Sequence, residues 1–146
     1  MKKTFFYLLL LLSCMSNAQT GLTSFTVPSG TTIGISPWGH VHDCDPQGNI
    51  WIATSSQGLL KFDGTSWTIY NTSNSGLRNN HIFALCHDHQ NYLWMATDSG
   101  LGRFDGTNWM WYDSTNSSLG TRRIFSVHAS GNKVLLFVMT TFPTSY

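Results

Sequence analysis

The residues with the greatest chemical potential are six histidines, seven carboxylates and three cysteines. His40-x-His42 and His87-x-His89 each place two imidazoles on one side of an extended segment, a spacing that can bind zinc or copper. The two pairs do not fall at equivalent places in the chain, and His89 lies in a turn-forming stretch, so surface and turn histidines are the expected reading and no metal or other cofactor is assigned. Asp63 and Asp105 could be read as paired carboxylates for acid–base work. Each precedes a glycine, and Asp-Gly is the favoured pair for a type I′ hairpin, in which both central residues need positive φ. No Gly-x-Ser-x-Gly motif and no glycine-rich phosphate loop occur, and no cysteine stands in a recognisable nucleophile context. No catalytic residue is therefore assigned, and the chain is expected not to be an enzyme. Asn71-Thr-Ser73 and Asn116-Ser-Ser118 fit the glycosylation sequon, which means little if the source is bacterial.

The elements that position these residues repeat. Asp45, Gly48, Trp51, Ala53 and Thr54 are followed by Gly58-Leu59, Lys61-Phe62-Asp63-Gly64, Trp67 and Tyr70. Asp88, Trp94, Ala96 and Thr97 are followed by Gly100-Leu101, Arg103-Phe104-Asp105-Gly106, Trp109 and Tyr112. The step from Gly58 to Gly100 is 42 residues, while the step from Asp45 to Asp88 is 43, because Ser55-Ser56-Gln57 holds one residue more than its counterpart. Turn residues cut the second unit into strands at Ile82–His87, Tyr92–Thr97, Leu101–Phe104 and Asn108–Tyr112. Four short antiparallel strands in about 42 residues is the arithmetic of a β-propeller blade. Helical repeats would show a 3.6-residue apolar period and few turn pairs. The fold class expected is all-β, a run of four-stranded antiparallel meanders forming an incomplete propeller.

Trp51, Trp94, Trp67 and Trp109, with Phe62 and Phe104, are expected to pack between blades. Trp38 and Trp111 fall outside the shared pattern, and Trp111 is expected to face outward, where it could stack on a sugar ring. Cys44 and Cys86 sit at similar places in successive units, so two independent buried thiols are expected rather than a bridge.

The chain opens Met1-Lys2-Lys3 and runs apolar from Phe5 to Leu12, the design of a secretory signal. This is shorter than the roughly 20 residues of a spanning helix. Ser16-Asn17-Ala18 supplies small residues for cleavage before Gln19. Leu11-Leu12-Ser13-Cys14 also resembles a lipobox, in which Cys14 is lipidated. Both a secreted or periplasmic protein and an outer-membrane lipoprotein therefore stay open, with no integral span after signal removal. Charged residues are 10% of the chain and net charge is +1, which argues against a nucleic-acid partner. Aromatics at 14% argue against disorder.

The organisation expected is a signal at 1–18, a loosely strand-like segment at 19–40, blades at 41–77 and 78–119, and a partial third blade at 120–146. Ile124-Phe125 starts the third unit well, yet after Gly131-Asn132 the Trp-Ile-Ala-Thr pattern does not follow. A truncated or frame-shifted propeller gene, even a remnant without independent function, is one reading of this decay. A divergent last strand is the other. Open sheet edges invite self-association or further blades. The loops Asn71–His81 and Asp113–Arg123 are the expected functional surface, because loops on a rigid scaffold carry binding. Positions that differ between blades there single out Arg78, Asn79, His81, Arg122 and Arg123.

The motifs Ile50-Trp51-Ile52-Ala53-Thr54 and Leu93-Trp94-Met95-Ala96-Thr97, each with its Gly-Leu and basic-Phe-Asp sequel, resemble the two-component regulator propeller repeat. The resemblance covers about residues 41–128. It implies an extracytoplasmic bacterial propeller used for ligand sensing, often of glycans, or for protein interaction. Some propellers are lyases or hydrolases, with catalytic residues converging on a central channel, and charges this sparse do not supply such a cluster.

Overall fold

A computed structural model describes residues 26–31, 41–119 and 123–138. Every element among them is a strand. β1 (His42–Cys44), β2 (Ile50–Ala53), β3 (Leu59–Phe62) and β4 (Trp67–Tyr70) form one antiparallel meander. β5 (Ile82–His87), β6 (Leu93–Thr97), β7 (Gly100–Phe104) and β8 (Trp109–Tyr112) form a second. β9 (Ser126–Ser130) and β10 (Lys133–Phe137) form a two-stranded third sheet. The sheets are open rather than closed, as an incomplete propeller requires.

The register repeats with the sequence. Trp51 lies opposite Asp43 and Lys61, and Trp94 lies opposite Cys86 and Arg103. Between the first two strands of each blade, an aspartate both closes the turn and clasps the tryptophan. Asp45 accepts from the Gln47 and Asn49 amides, from Asn49 Nδ2 and, at 3.0 Å, from Trp51 Nε1. Asp88 accepts from the Gln90 and Tyr92 amides and, at 2.7 Å, from Trp94 Nε1. The turns pass through a left-handed residue at the same place, Gly48 (φ 84°) and Asn91 (φ 64°).

The turns at Asp63 and Asp105 differ from expectation. Only Gly64 and Gly106 have positive φ there, so neither turn is a type I′ pair. Each loop is four residues long: Asp63 Oδ1 accepts from the Thr65 and Ser66 amides, and Asp105 Oδ1 from those of Thr107 and Asn108. The carboxylate thus closes the loop itself, an Asx turn, and leaves the aspartate free of the φ constraint.

Successive blades pack through both sheet faces. Trp51, Ala53 and Leu59 of the first blade meet Leu85, Leu93, Met95, Phe104 and Trp111 of the second. Ala84, Cys86, Ala96 and Leu101 on the far face of the second blade meet Ile124 and Val127. The same backbone bond crosses both seams: Ile82 N donates to Thr54 O, and Ile124 N to Thr97 O, each at 3.0 Å. Although its sequence departs from the motif, Lys133–Phe137 forms β10, and Val134 and Leu136 turn toward the second blade.

Two packing expectations are corrected. Trp111 does not face outward. It is 6% exposed, lies on the same sheet face as Trp109 because the two are two residues apart, and donates from Nε1 to Gly76 O at 2.9 Å. Cys86 is a free, buried thiol with no bridge to Cys44, but the two are not a matched pair of buried residues, because Cys44 is only half-buried. They are also not equivalent. The 43-residue step makes His87 the counterpart of Cys44 and Asp43 the counterpart of Cys86, and one residue of slip reverses the face a strand residue occupies. Cys44 accordingly packs on the outer face of the first blade, and Cys86 at the seam between the second and third.

Candidate ligand-binding rim

The loop after each outer strand is a repeated chassis. In the first, Asn71 N donates to Asn74 Oδ1 while Asn74 Nδ2 donates to Ile69 O. In the second, Asp113 N donates to Asn116 Oδ1 while Asn116 Nδ2 donates to Trp111 O. The Ser73 and Thr115 amides and hydroxyls bind Oδ1 of Asn71 and Asp113 respectively. The change from Asn71 to Asp113 preserves the loop and leaves a second carboxylate oxygen to face elsewhere. Asp113 Oδ2 meets Arg78 Nη1 at 3.3 Å. The Arg78 guanidinium also lies 5.8 Å from the Trp111 ring centroid, which accounts for the place of both residues beside one another.

A second charged group lies beside the first. Asp98, in the turn between β6 and β7, receives His81 Nδ1 on Oδ2 at 3.4 Å and Arg123 Nε on Oδ1. His81 and Arg123 are equivalent positions of consecutive repeats. Each lies against the equivalent phenylalanine, His81 on Phe83 at 4.3 Å and Arg123 on Phe125 at 5.6 Å. Phe83 and Phe125 are themselves in contact at 5.2 Å, so Asp98 bridges two successive steps of the same motif. Asn79 Nδ2 donates to Ser99 Oγ at 3.2 Å, and Asn79 Oδ1 holds the His81 amide.

These groups surround a pocket of about 420 Å³ lined by Arg78, Asp98, Ser99, Asp113 and Thr115. Its size falls within the roughly 300–1,000 Å³ of sites that take small organic ligands. Arg78 is half-exposed, and an exposed ion pair contributes only about 0–1 kcal/mol, so its guanidinium can exchange its partner for a ligand group at little cost.

Of the loop residues singled out from the sequence, Arg78 lines the pocket, and Asn79, His81 and Arg123 hold its lining residues. Trp111 supports Arg78 from within the core. Arg122, Trp38, His40 and Cys14 lie outside the described residues. Asp113 and Thr115 lie in the expected loop Asp113–Arg123 without having been singled out, and Asp98 and Ser99 fall outside both expected loops. The signal for two of them was present: Asp98 stands where the first unit has Ser55, and Asp113 where it has Asn71. Of the histidine pairs, His87 Nδ1 faces Asp43 at 3.2 Å, and among the described residues no cluster of three or more His, Cys, Asp or Glu is placed to hold a metal ion. Among these residues, too, no helix is long and apolar enough to cross a membrane.

Residues 76–99 match the family described as two component regulator propeller. The match runs from the loop carrying Arg78 through β5 and β6 to Asp98 and Ser99, so it contains most of one side of the rim. No curated protein matches the chain. With the two four-stranded meanders, the match supports a β-propeller-like segment.

Proposed function

We propose that the chain is an exported, non-enzymatic binding segment that senses a small polyhydroxylated ligand, a glycan or part of one, at the rim pocket. The observation that carries this reading is the convergence of non-repeated charges from three loops of the second blade, Arg78, Asp98 and Asp113, on one pocket. Carboxylates beside a guanidinium and two hydroxyls offer both acceptors and donors to vicinal hydroxyl groups. Binding rather than catalysis is favoured by how the hydroxyls are used. Thr115 Oγ1 donates to Asp113 and Ser99 Oγ accepts from Asn79, so both hold the loops in place. Export is supported by the Lys2-Lys3 start, the apolar run and the two processing sequences, which direct the mature chain to a secreted or periplasmic location, or to the outer membrane through Cys14.

The test is a glycan array probed with the full chain and with Arg78→Ala. The expected result is a discrete set of glycans whose capture falls about tenfold or more in the variant. A blank array, or capture that Arg78→Ala leaves unchanged, overturns the reading.

A further inference from the structure

The two seams between blades are covered differently. At the first, Trp51 and Tyr70 stack with ring centroids 5.9 Å apart, and the next blade closes over them. Phe104 of β7 lies 6.0 Å from Trp51 and 5.7 Å from Tyr70, and Trp109 of β8 lies 5.9 Å from Tyr70. Trp51 is left 4% exposed. At the second seam, Trp94 and Tyr112 form the same stack at 5.8 Å. The third sheet there holds β9 and β10, and among the described residues no third or fourth strand lies over the stack. Arg103 reaches across one side, 5.8 Å from the Trp94 ring centroid, and Trp94 stays partly exposed.

The strand beside this stack has an open edge. Phe125 N donates to Phe137 O at 3.0 Å, so the Phe137 backbone points toward β9. An antiparallel ladder alternates, which turns Lys133 and Leu135 the same way and the N–H and C=O of Val134 and Leu136 outward. Among the described residues β10 pairs with β9 alone, so these outward groups meet no further strand. The equivalent strand of the second blade is β6, because Leu135 faces His128 as Trp94 faces Cys86, 42 residues earlier. On this same edge β6 is paired with β7, Leu93 opposite Phe104 and Met95 opposite Gly102. β10 carries one charge, Lys133, at its start, and has no proline or inner charge to close the edge to pairing.

One kind of segment satisfies both features. At the first seam a single hairpin, β7–β8, pairs with the edge of β6 and lays Phe104 and Trp109 on the neighbouring stack. Both blades carry this hairpin as Phe-Asp-Gly with a tryptophan five residues after the phenylalanine, Phe62 to Trp67 and Phe104 to Trp109. Within the chain both hairpins are already engaged, β3 with β2 and β7 with β6.

We propose that the β10 edge and the Trp94–Tyr112 stack form a docking site for a β-hairpin of this type supplied by another polypeptide, an interaction surface separate from the rim pocket. The hairpin adds its first strand to β10, bonding the outward groups of Val134 and Leu136, and its phenylalanine and tryptophan cover Trp94 and Tyr112. The main chain supplies the pairing, and the two aromatic side chains supply the selectivity.

The probe is a fluorophore-labelled synthetic peptide with the sequence Ser99–Asp113, titrated with the full chain and read by anisotropy. Binding is expected to saturate, and a scrambled peptide is expected not to bind. Phe104→Ala in the peptide is expected to weaken binding about tenfold or more, as is Tyr112→Ala in the chain. Val134→Pro removes an outward N–H without touching the β9 ladder and is expected to weaken binding likewise. In hydrogen exchange of the unaltered chain, bound peptide is expected to slow the Val134 and Leu136 amides by roughly tenfold or more and to leave the Leu135 amide as it was. The proposal is overturned if the peptide does not bind, if the scrambled peptide binds as well, if Phe104→Ala in the peptide leaves the affinity unchanged, or if the Val134 and Leu136 amides gain no protection. Should either chain variant fail to fold, the peptide variant and the exchange readout decide.

Discussion

Replacing Asp88 with alanine tests the clasp that links each turn to its blade tryptophan. Asp88 holds Trp94 Nε1 at 2.7 Å, the Gln90 amide at 2.9 Å and the Tyr92 amide at 3.0 Å. The indole N–H is partly buried at the seam between the second and third blades, so its loss leaves a donor without an acceptor, about 1–3 kcal/mol. The two turn amides can regain water, and they add about 1 kcal/mol between them. A loss of about 2–4 kcal/mol is large against the 5–15 kcal/mol total of an ordinary domain. At roughly 2–4 °C per kcal/mol for a chain near 150 residues, the melting temperature falls by roughly 4–16 °C. Thermal melts followed by circular dichroism and tryptophan fluorescence read this directly. Asp88→Asn, which keeps one acceptor oxygen, is expected to fall between wild type and alanine. The pH dependence gives an internal check. Burial works to raise the Asp88 pKa, but the bonds from Trp94, Tyr92 and Gln90 outweigh it and hold the group below the ordinary aspartate value of 3.8. A depressed folded pKa stabilises the fold above the unfolded pKa, and that contribution fades as pH falls through the folded value. Asp88→Ala therefore loses more stability at neutral pH than near pH 3. A variant within about 0.5 kcal/mol of wild type would refute the reasoning, because the clasp would then be a consequence of packing and not a support for it.

The same arithmetic extends to other positions. Asp43, which accepts from the His87 amide at 2.5 Å and faces its ring across the first seam, also titrates below 3.8 despite burial, so Asp43→Asn is expected to destabilise the chain at pH 7 and to flatten its acid melting curve. Gly58→Ala and Gly100→Ala place a Cβ 2.2 Å from Tyr70 O and 2.4 Å from Tyr112 O at φ 91° and 114°, so each costs more than the few tenths typical of a surface change, and chemical denaturation measures it. Burial, with the nearby Asp43 charge, pushes the Cys86 thiol up to about 12, so alkylation at pH 8 is expected to be slow in the native chain and to rise at least a hundredfold on unfolding, read by mass spectrometry.

The blades were legible because their punctuation is local. Asp-x-x-Gly before a tryptophan strand, and Asp-Gly before an aromatic one, fix turns whatever the surrounding fold does. Face assignment was less secure, because it depends on a single residue of register. Aligning Cys44 with Cys86 by the 42-residue step, when their strands repeat at 43, put the two on equivalent faces that they do not share. Trp111 was set outside because the first blade has no tryptophan at its position, although its two-residue spacing from Trp109 already placed it inward. The rim was half legible. Arg78, Asn79 and His81 stood out as departures from the repeat, but their partners lie 35 residues away at Asp113 and in the two-residue turn Asp98-Ser99. What brings them together is the meander of the second blade, which sets the loops before β5, between β6 and β7 and after β8 side by side, and no local pattern encodes that.

The central claim is that the rim at the loop end of the second blade binds ligand. Amide chemical-shift mapping, with the strongest glycan from the array titrated into the isotopically labelled full chain, tests it most directly. The account predicts that Arg78, Asp98, Ser99, Asp113 and Thr115 shift together and saturate with one affinity, while the Asp45–Asn49 turn at the other end stays in place. Shifts centred on that turn, or scattered without saturation, would contradict it.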